Sequence, residues 1–195
     1  MTTPRTLAAV LLASALALTA CGDDKKDVAS SQSSNAYDSG ADAGADAGTT
    51  AAGGSAAAGS DVGFTMPAVT ANATDLSKEP KAGKGTGAGP ATVQTKDLVV
   101  GKGTAAKLTD TVTVHYVGSL YSDGSVFDSS WEGGKPIAFP LNQVVPGFAQ
   151  GIKGMKIGGR RIIVIPSALA YGPEDQPGIP ANSVLVFIVD LKKIA

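Results

Sequence analysis

Val114–Ser130 reads VHYVGSLYSDGSVFDSS, and from Ala168 the chain runs ALAYGPEDQPGIPANSVLVFIVDLKKI. In the stretch Thr111–Val117 (TVTVHYV), Val112, Val114 and Tyr116 fall on one face and Thr111, Thr113 and His115 on the other. Period two with β-branched residues predicts a strand. Asp123-Gly124 is a hairpin cue, because the turn needs residues that tolerate positive φ. Ser183–Ile194 carries the longest strand pattern, apolar on both faces at its centre, which predicts a central, doubly covered strand.

Between these two stretches, Lys135–Leu141 (KPIAFPL) predicts a strand whose prolines confine it to an edge or irregular position. Val145, Phe148, Ala149 and Ile152 recur at i, i+3, i+4 and i+7, one face of a short helix with Pro146 in its first turn. Arg160–Pro166 predicts a further strand, followed by the Pro- and Gly-rich loop Ala170–Pro180. Many strands and one short helix predict an α+β domain, an antiparallel sheet folded against that helix.

Working outward, the chain of 195 residues divides by composition. Gly, Ala, Ser, Thr and Asp dominate Gly22–Thr92, with Tyr37 and Phe64 its only aromatic residues. Such a segment buries too little apolar area to offset its ordering entropy, so it is expected to be a disordered tether, its 71 residues spreading over roughly 40–50 Å. Phe64–Val69 (FTMPAV) is its one apolar interruption, either chance or a docking segment reaching for the domain's own pocket through Met66-Pro67. The domain is then residues 93–195, of ordinary size for one core. The tether has a net charge of −4 and the domain +2, without the basic excess of a nucleic-acid binder.

Leu7–Ala20 is a run of 14 apolar or small residues behind Arg5, short of the roughly 20 needed to span a bilayer, and reads as a signal segment, residues 1–20. It ends in Leu18-Thr19-Ala20-Cys21, which resembles the lipobox of bacterial lipoproteins. That resemblance implies cleavage before Cys21, acylation of its thiol and an extracytoplasmic domain anchored to a bacterial membrane.

The chemistry-bearing residues are few. One histidine and one cysteine, the latter at the anchor, exclude a Cys–His pair or a metal cluster in the domain. His115 reads as structural. Ser129 and Ser130 have no base beside them, and Gly158-Gly159-Arg160 lacks the Lys-Ser/Thr of a phosphate loop. Asp128 and Glu132 could pair as acid and base, yet Asp128 adjoins Phe127 and better suits orienting a hydrogen bond. What remains is an aromatic-lined apolar pocket with few polar groups and no cofactor.

The segments VHYVGSLYSDGSVFDSS, GGKPIAFPL, VVPGFAQGIKGMKIGGRRIIVIPSALAYG and PGIPANSVLVFIVDLKKI resemble the FKBP-type peptidyl-prolyl cis-trans isomerases, in order and nearly without gaps. The resemblance implies a five- or six-stranded antiparallel sheet wrapped around one short helix, with a pocket for the proline of an X-Pro peptide. It implies that Tyr116 and Phe127 form one wall and Asp128 the polar lip. Val144 and Val145 supply the mouth, Phe148 the floor, and Tyr171 a hydroxyl for a substrate carbonyl. Ile179 and Phe187 close the far wall, with Ile137 and Phe139 behind. Many members have Trp at the position of Phe148, some have His at Gln176 and Arg at Gly133, and an aromatic residue is usual at Ile137.

The expected partners are X-Pro peptides and unfolded exported proteins, membrane lipid through Cys21, and macrolide inhibitors. Nucleic acid is not among them, and the domain is expected to be a monomer. The expected activity is proline isomerisation. Two other readings stay open at this level: a catalytically weak proline-peptide binding or chaperone module on the same pocket, and a surface factor in which the tether matters most.

Overall fold

The structure, a computed structural model, describes residues 63–195. The expected signal segment, Cys21 and the tether as far as residue 62 lie outside the described residues. In chain order the strands are β1 (Val69–Ala71), β2 (Lys81–Ala82), β3 (Gln94–Val99), β4 (Thr111–Leu120), β5 (Val126–Ser129), β6 (Ile137–Pro140), β7 (Arg160–Ile165) and β8 (Leu185–Ile194). Among the described residues the single α-helix, α1 (Pro146–Ile152), carries Pro146 at its first position, where a missing N–H costs nothing. Short 3-10 turns occupy Leu141–Gln143 and Ser167–Leu169.

Six strands form one antiparallel sheet in the order β3-β7-β8-β4-β5, with β6 also paired to β4. Strands β5 and β6 share one edge of β4: β6 pairs with Thr111–Val114 and β5 with Val117–Ser119. The expected alternation in β4 holds, with Val112, Val114 and Tyr116 buried toward the helix. Strand β8 lies between β7 and β4, as its two-sided apolar pattern predicts. Its residues Leu185, Phe187, Val189 and Leu191 join the core under α1, and Val186 and Ile188 face the opposite side. The helix approaches β7 closely because a Cβ at Gly151 would sit 2.4 Å from Ile163 Cγ2. Together these elements make the expected α+β architecture of six strands and one short helix.

The outer face of β7 and β8 is covered by chain that was expected to be tether. Residues 63–92 run across it as a strap, and the β1–β2 pair forms a second, two-stranded sheet. Phe64, Met66 and Val69 pack with Ala82 against Tyr121, Ile162, Val164, Val186 and Ile188. The domain boundary expected at Val93 therefore moves N-terminally into the strap. The reason is spacing: a few apolar anchors, with Pro67, Pro80 and Pro90 buried among them, hold a chain whose average composition is that of a coil. Phe64–Val69 is a docking segment, but on the outer face, where Phe64 stacks on Tyr121 at 6.0 Å, and not in the expected pocket.

Polar bonds complete the strap. The Tyr121 hydroxyl donates to Thr86 O at 2.7 Å and accepts from Thr86 N at 3.1 Å. Towards the other end of β8, Arg160 and Asp190, both essentially without solvent exposure, form a two-pronged ion pair at 2.5 and 2.8 Å. Arg160 donates two further N–H groups to strap carbonyls, Asn72 O and Lys78 O. The strap thus satisfies a buried guanidinium that the sheet alone would leave part-unpaired.

Candidate active site

On the helix side of the sheet, aromatic rings from four elements converge. Phe148 of α1 is completely buried at their centre, 5.0 Å from Phe187 of β8, 6.2 Å from Phe139 of β6 and 6.5 Å from Tyr116 of β4. The rings meet edge to face, the arrangement their quadrupoles favour. Phe127 of β5 stands edge-on to Phe187 at 5.7 Å and is only partly buried, so it forms an accessible wall. Val144, Val145 and Ile179 are buried in the same cluster, and Ile137 and Tyr171 pack partly buried against it. Every apolar residue expected at the pocket therefore comes together.

Asp128 stands at the edge of this cluster, beside Tyr116. Its carboxylate accepts the Tyr116 hydroxyl at 2.5 Å. Burial raises the Asp128 carboxyl above the usual range, while the Tyr116 bond and the Ser129 backbone N–H pull it back. Burial, reinforced by the bond to Asp128, raises the Tyr116 hydroxyl; burial, with Asp128 nearby, pushes Tyr171 up to about 12. Both phenols are therefore protonated donors at neutral pH.

Two local features position these groups. In β5, Asp128 opposes Gly118 and Val126 opposes Ser119, so Phe127 is an extra residue in the ladder, a bulge. The bulge turns the consecutive side chains Phe127 and Asp128 both toward the pocket. Gly118 makes room for them: a Cβ there would lie 2.6 Å from Phe127 and 2.9 Å from Phe187. Sequence reading did not single out Gly118, although a glycine inside a β-branched strand signals close approach. A groove of about 350 Å³ lined by Leu120, Asp175, Gln176, Gly178, Ile179 and Pro180 opens beside Ile179.

His115 lies outside this pocket. It stacks on Trp131 at 4.2 Å, and its Nδ1 shares a hydrogen bond with Ser130 Oγ at 3.0 Å. Burial, then the Lys192 charge, lowers its pKa. Ser129 and Ser130 tie the turn after β5 to β4 and to the strap. Among the described residues, no group of three His, Cys, Asp or Glu side chains comes together.

A sheet wrapped on one short helix, with a cluster of aromatic rings between them and one carboxylate at its edge, has the make-up of a small domain of the proline-isomerase class. A family model described as FKBP-type peptidyl-prolyl cis-trans isomerase matches residues 102–192. A Corynebacterium glutamicum protein named as a probable FK506-binding protein is 45% identical over 105 residues, 54% of this chain and 89% of that relative. FkpA of Escherichia coli K12, named as an FKBP-type isomerase, is 52% identical over 91 residues, 47% of this chain and 33% of that relative. The crystal structure of Escherichia coli FkpA superposes with a TM-score of 0.50 at 46% identity, covering 52% of this chain and 47% of that one. The chain belongs to the FKBP-type peptidyl-prolyl cis-trans isomerases. It is an isomerase of the peptide bond before proline.

Proposed function

We propose that the cavity floored by Phe148 receives the proline ring of X-Pro segments in exported proteins and stabilises the twisted amide without covalent chemistry. The observation that carries this reading is the closed aromatic box around Phe148, with the Tyr116–Asp128 hydrogen bond at its edge. An X-Pro bond rotates over a barrier of about 18–20 kcal/mol because twisting destroys amide resonance. The twisted amide has less charge separation than the planar one. An apolar site therefore disfavours the planar ground state more than the transition state, which is differential binding. In this reading the Tyr171 hydroxyl and the backbone at Val145 hold the substrate on either side of the turning bond. Phe127 and Phe187 clamp the ring, and Ile137, Phe139, Val144 and Ile179 keep water out. Asp128 holds the Tyr116 ring in place and sets the field at the twisting carbonyl.

The same box is the proposed site for macrolide ligands. The lipobox-like Leu18–Cys21 supports the further proposal that the domain works outside the cytoplasm, held to a membrane by lipid on Cys21. NMR exchange on a short X-Pro peptide, with the full chain beside Asp128→Ala, tests the pocket. Fast exchange that is lost in the variant supports the reading. A folded variant with undiminished exchange overturns it.

A further inference from the structure

We propose that Glu79, in the strap on the opposite face of the sheet, is a positioning residue for the pocket: through the Ser129 hydroxyl it fixes the strand that carries Phe127 and Asp128. This inference rests on the pocket reading above and extends it to a segment outside the family match at residues 102–192.

Strand β5 needs such a support. It has four residues, pairs with β4 alone, and its ladder is broken by the bulge at Phe127. A short, bulged edge strand is held by few bonds, yet it bears both the half-buried Phe127 ring and the pocket's carboxylate. Side chains alternate after the bulge. Asp128, opposite Gly118, faces the pocket; Ser129, opposite Val117, faces the strap. The Ser129 hydroxyl, 9% exposed, donates to Glu79 Oε1 at 2.6 Å and accepts the Trp131 N–H at 3.2 Å. A charge-assisted bond of that length is among the stronger kinds.

Glu79 is itself well held. Its carbonyl accepts Asn72 Nδ2 at 2.8 Å, the preceding carbonyl of Lys78 accepts the buried Arg160 at 3.0 Å, and the following Pro80 is buried. The path is therefore continuous: Arg160–Asp190 in the sheet, Lys78–Pro80 in the strap, Ser129 in β5, and one residue further the Asp128 carboxylate. The Ser129 backbone N–H, which hydrogen-bonds that carboxylate, moves with the Ser129 side chain. Loosening Ser129 weakens this bond as well as the placement of Phe127.

The test uses the full chain with Glu79→Ala, Ser129→Ala, the double variant and Glu79→Gln, beside Asp128→Ala. The readouts are kcat and KM on an X-Pro peptide, urea unfolding, and the ¹³C titration of the Asp128 carboxyl. The expected result for Glu79→Ala is a KM raised about 3- to 10-fold, the scale of one hydrogen bond, and an Asp128 titration moved to higher pH. Ser129→Ala gives the same, the double variant adds nothing further, and Glu79→Gln, which keeps an acceptor oxygen but loses the charge, falls between wild type and Glu79→Ala. Unchanged KM and unchanged Asp128 titration in Glu79→Ala, beside an inactive Asp128→Ala, overturn this proposal alone. A Glu79→Gln variant as impaired as Glu79→Ala overturns it too, as does a defect seen only in unfolding. Full activity in Asp128→Ala overturns the pocket reading and this proposal with it.

Discussion

Gly118 and Phe148 define the pocket from opposite sides, and their substitutions have opposite signatures. A methyl group at Gly118 collides with the Phe127 and Phe187 rings, and overpacking of this kind costs about 1–3 kcal/mol. Because those rings are the walls of the proposed pocket, Gly118→Ala is expected to lower kcat/KM by about tenfold or more, with only modest loss in urea stability. Peptide isomerisation kinetics beside a denaturation curve check this. Phe148→Ala removes a ring with no solvent exposure that touches three other aromatics. Its expected cost is about 3–5 kcal/mol, a large part of a typical domain's 5–15 kcal/mol, so a lower urea midpoint precedes any reading of its activity.

Asp128 adds a pH signature. Burial raises its native pKa above that of the unfolded chain, so the native state holds the proton more tightly. Its contribution to stability is fully present below the ordinary carboxylate range, about pH 4, and is lost as pH rises through the native value. Asp128→Asn should therefore gain in melting temperature relative to wild type as pH rises across that window. A constant difference between pH 3 and 7 would contradict the assignment.

Among the elements, β4, β6, β7, β8 and α1 were legible because each carries its own period or turn chemistry in a short window. The family's ordered segments made legible which apolar residues cluster between the sheet and α1. Strand β3 was not: Gln94–Val99 is a half-exposed edge strand whose QTKDLV pattern has no clean alternation. The bulge in β5 was hidden for a different reason, since it is defined by register with β4 and not by Phe127 itself. The strap was obscured by averaging over a Gly- and Ala-rich window. One signal for it did exist. Strands β7 and β8 are apolar on both faces, and a single seven-residue helix covers only one of them. Something else in the chain had to cover the other.

The strap is accordingly part of the folding unit. Deleting residues 63–92 strips Ile162, Val164, Val186 and Ile188 of their cover and leaves Arg160 without two carbonyl partners. A chain starting at Val93 is expected to bind a hydrophobic dye and melt well below one starting at Gly63. Arg160→Leu, which leaves Asp190 buried with only Lys192 at 3.4 Å, is expected to cost about 3–5 kcal/mol, measured by urea unfolding.

For the whole molecule, the strap changes what an anchor at Cys21 would hold. The sheet's outer face is covered by residues 63–92, and the aromatic cluster lies on the other, α1-bearing face. The anchorage proposal separates cleanly from the isomerase assignment because the two rest on residues far apart in the chain. Cys21→Ser removes the only thiol. The wild-type chain, expressed in a bacterium fed an alkyne fatty acid, is expected to carry the label and sediment with membranes. Cys21→Ser is expected to lose the label and appear in the soluble extracytoplasmic fraction with kcat/KM on an X-Pro peptide unchanged. A labelled Cys21→Ser chain, or an unlabelled wild type, would end the lipid proposal without touching the pocket. One acyl chain gives only marginal membrane binding, at about 0.8 kcal/mol per buried CH₂, so firm sedimentation of the wild type further requires two or more chains on the mature terminus, which mass spectrometry of the N-terminal peptide counts directly.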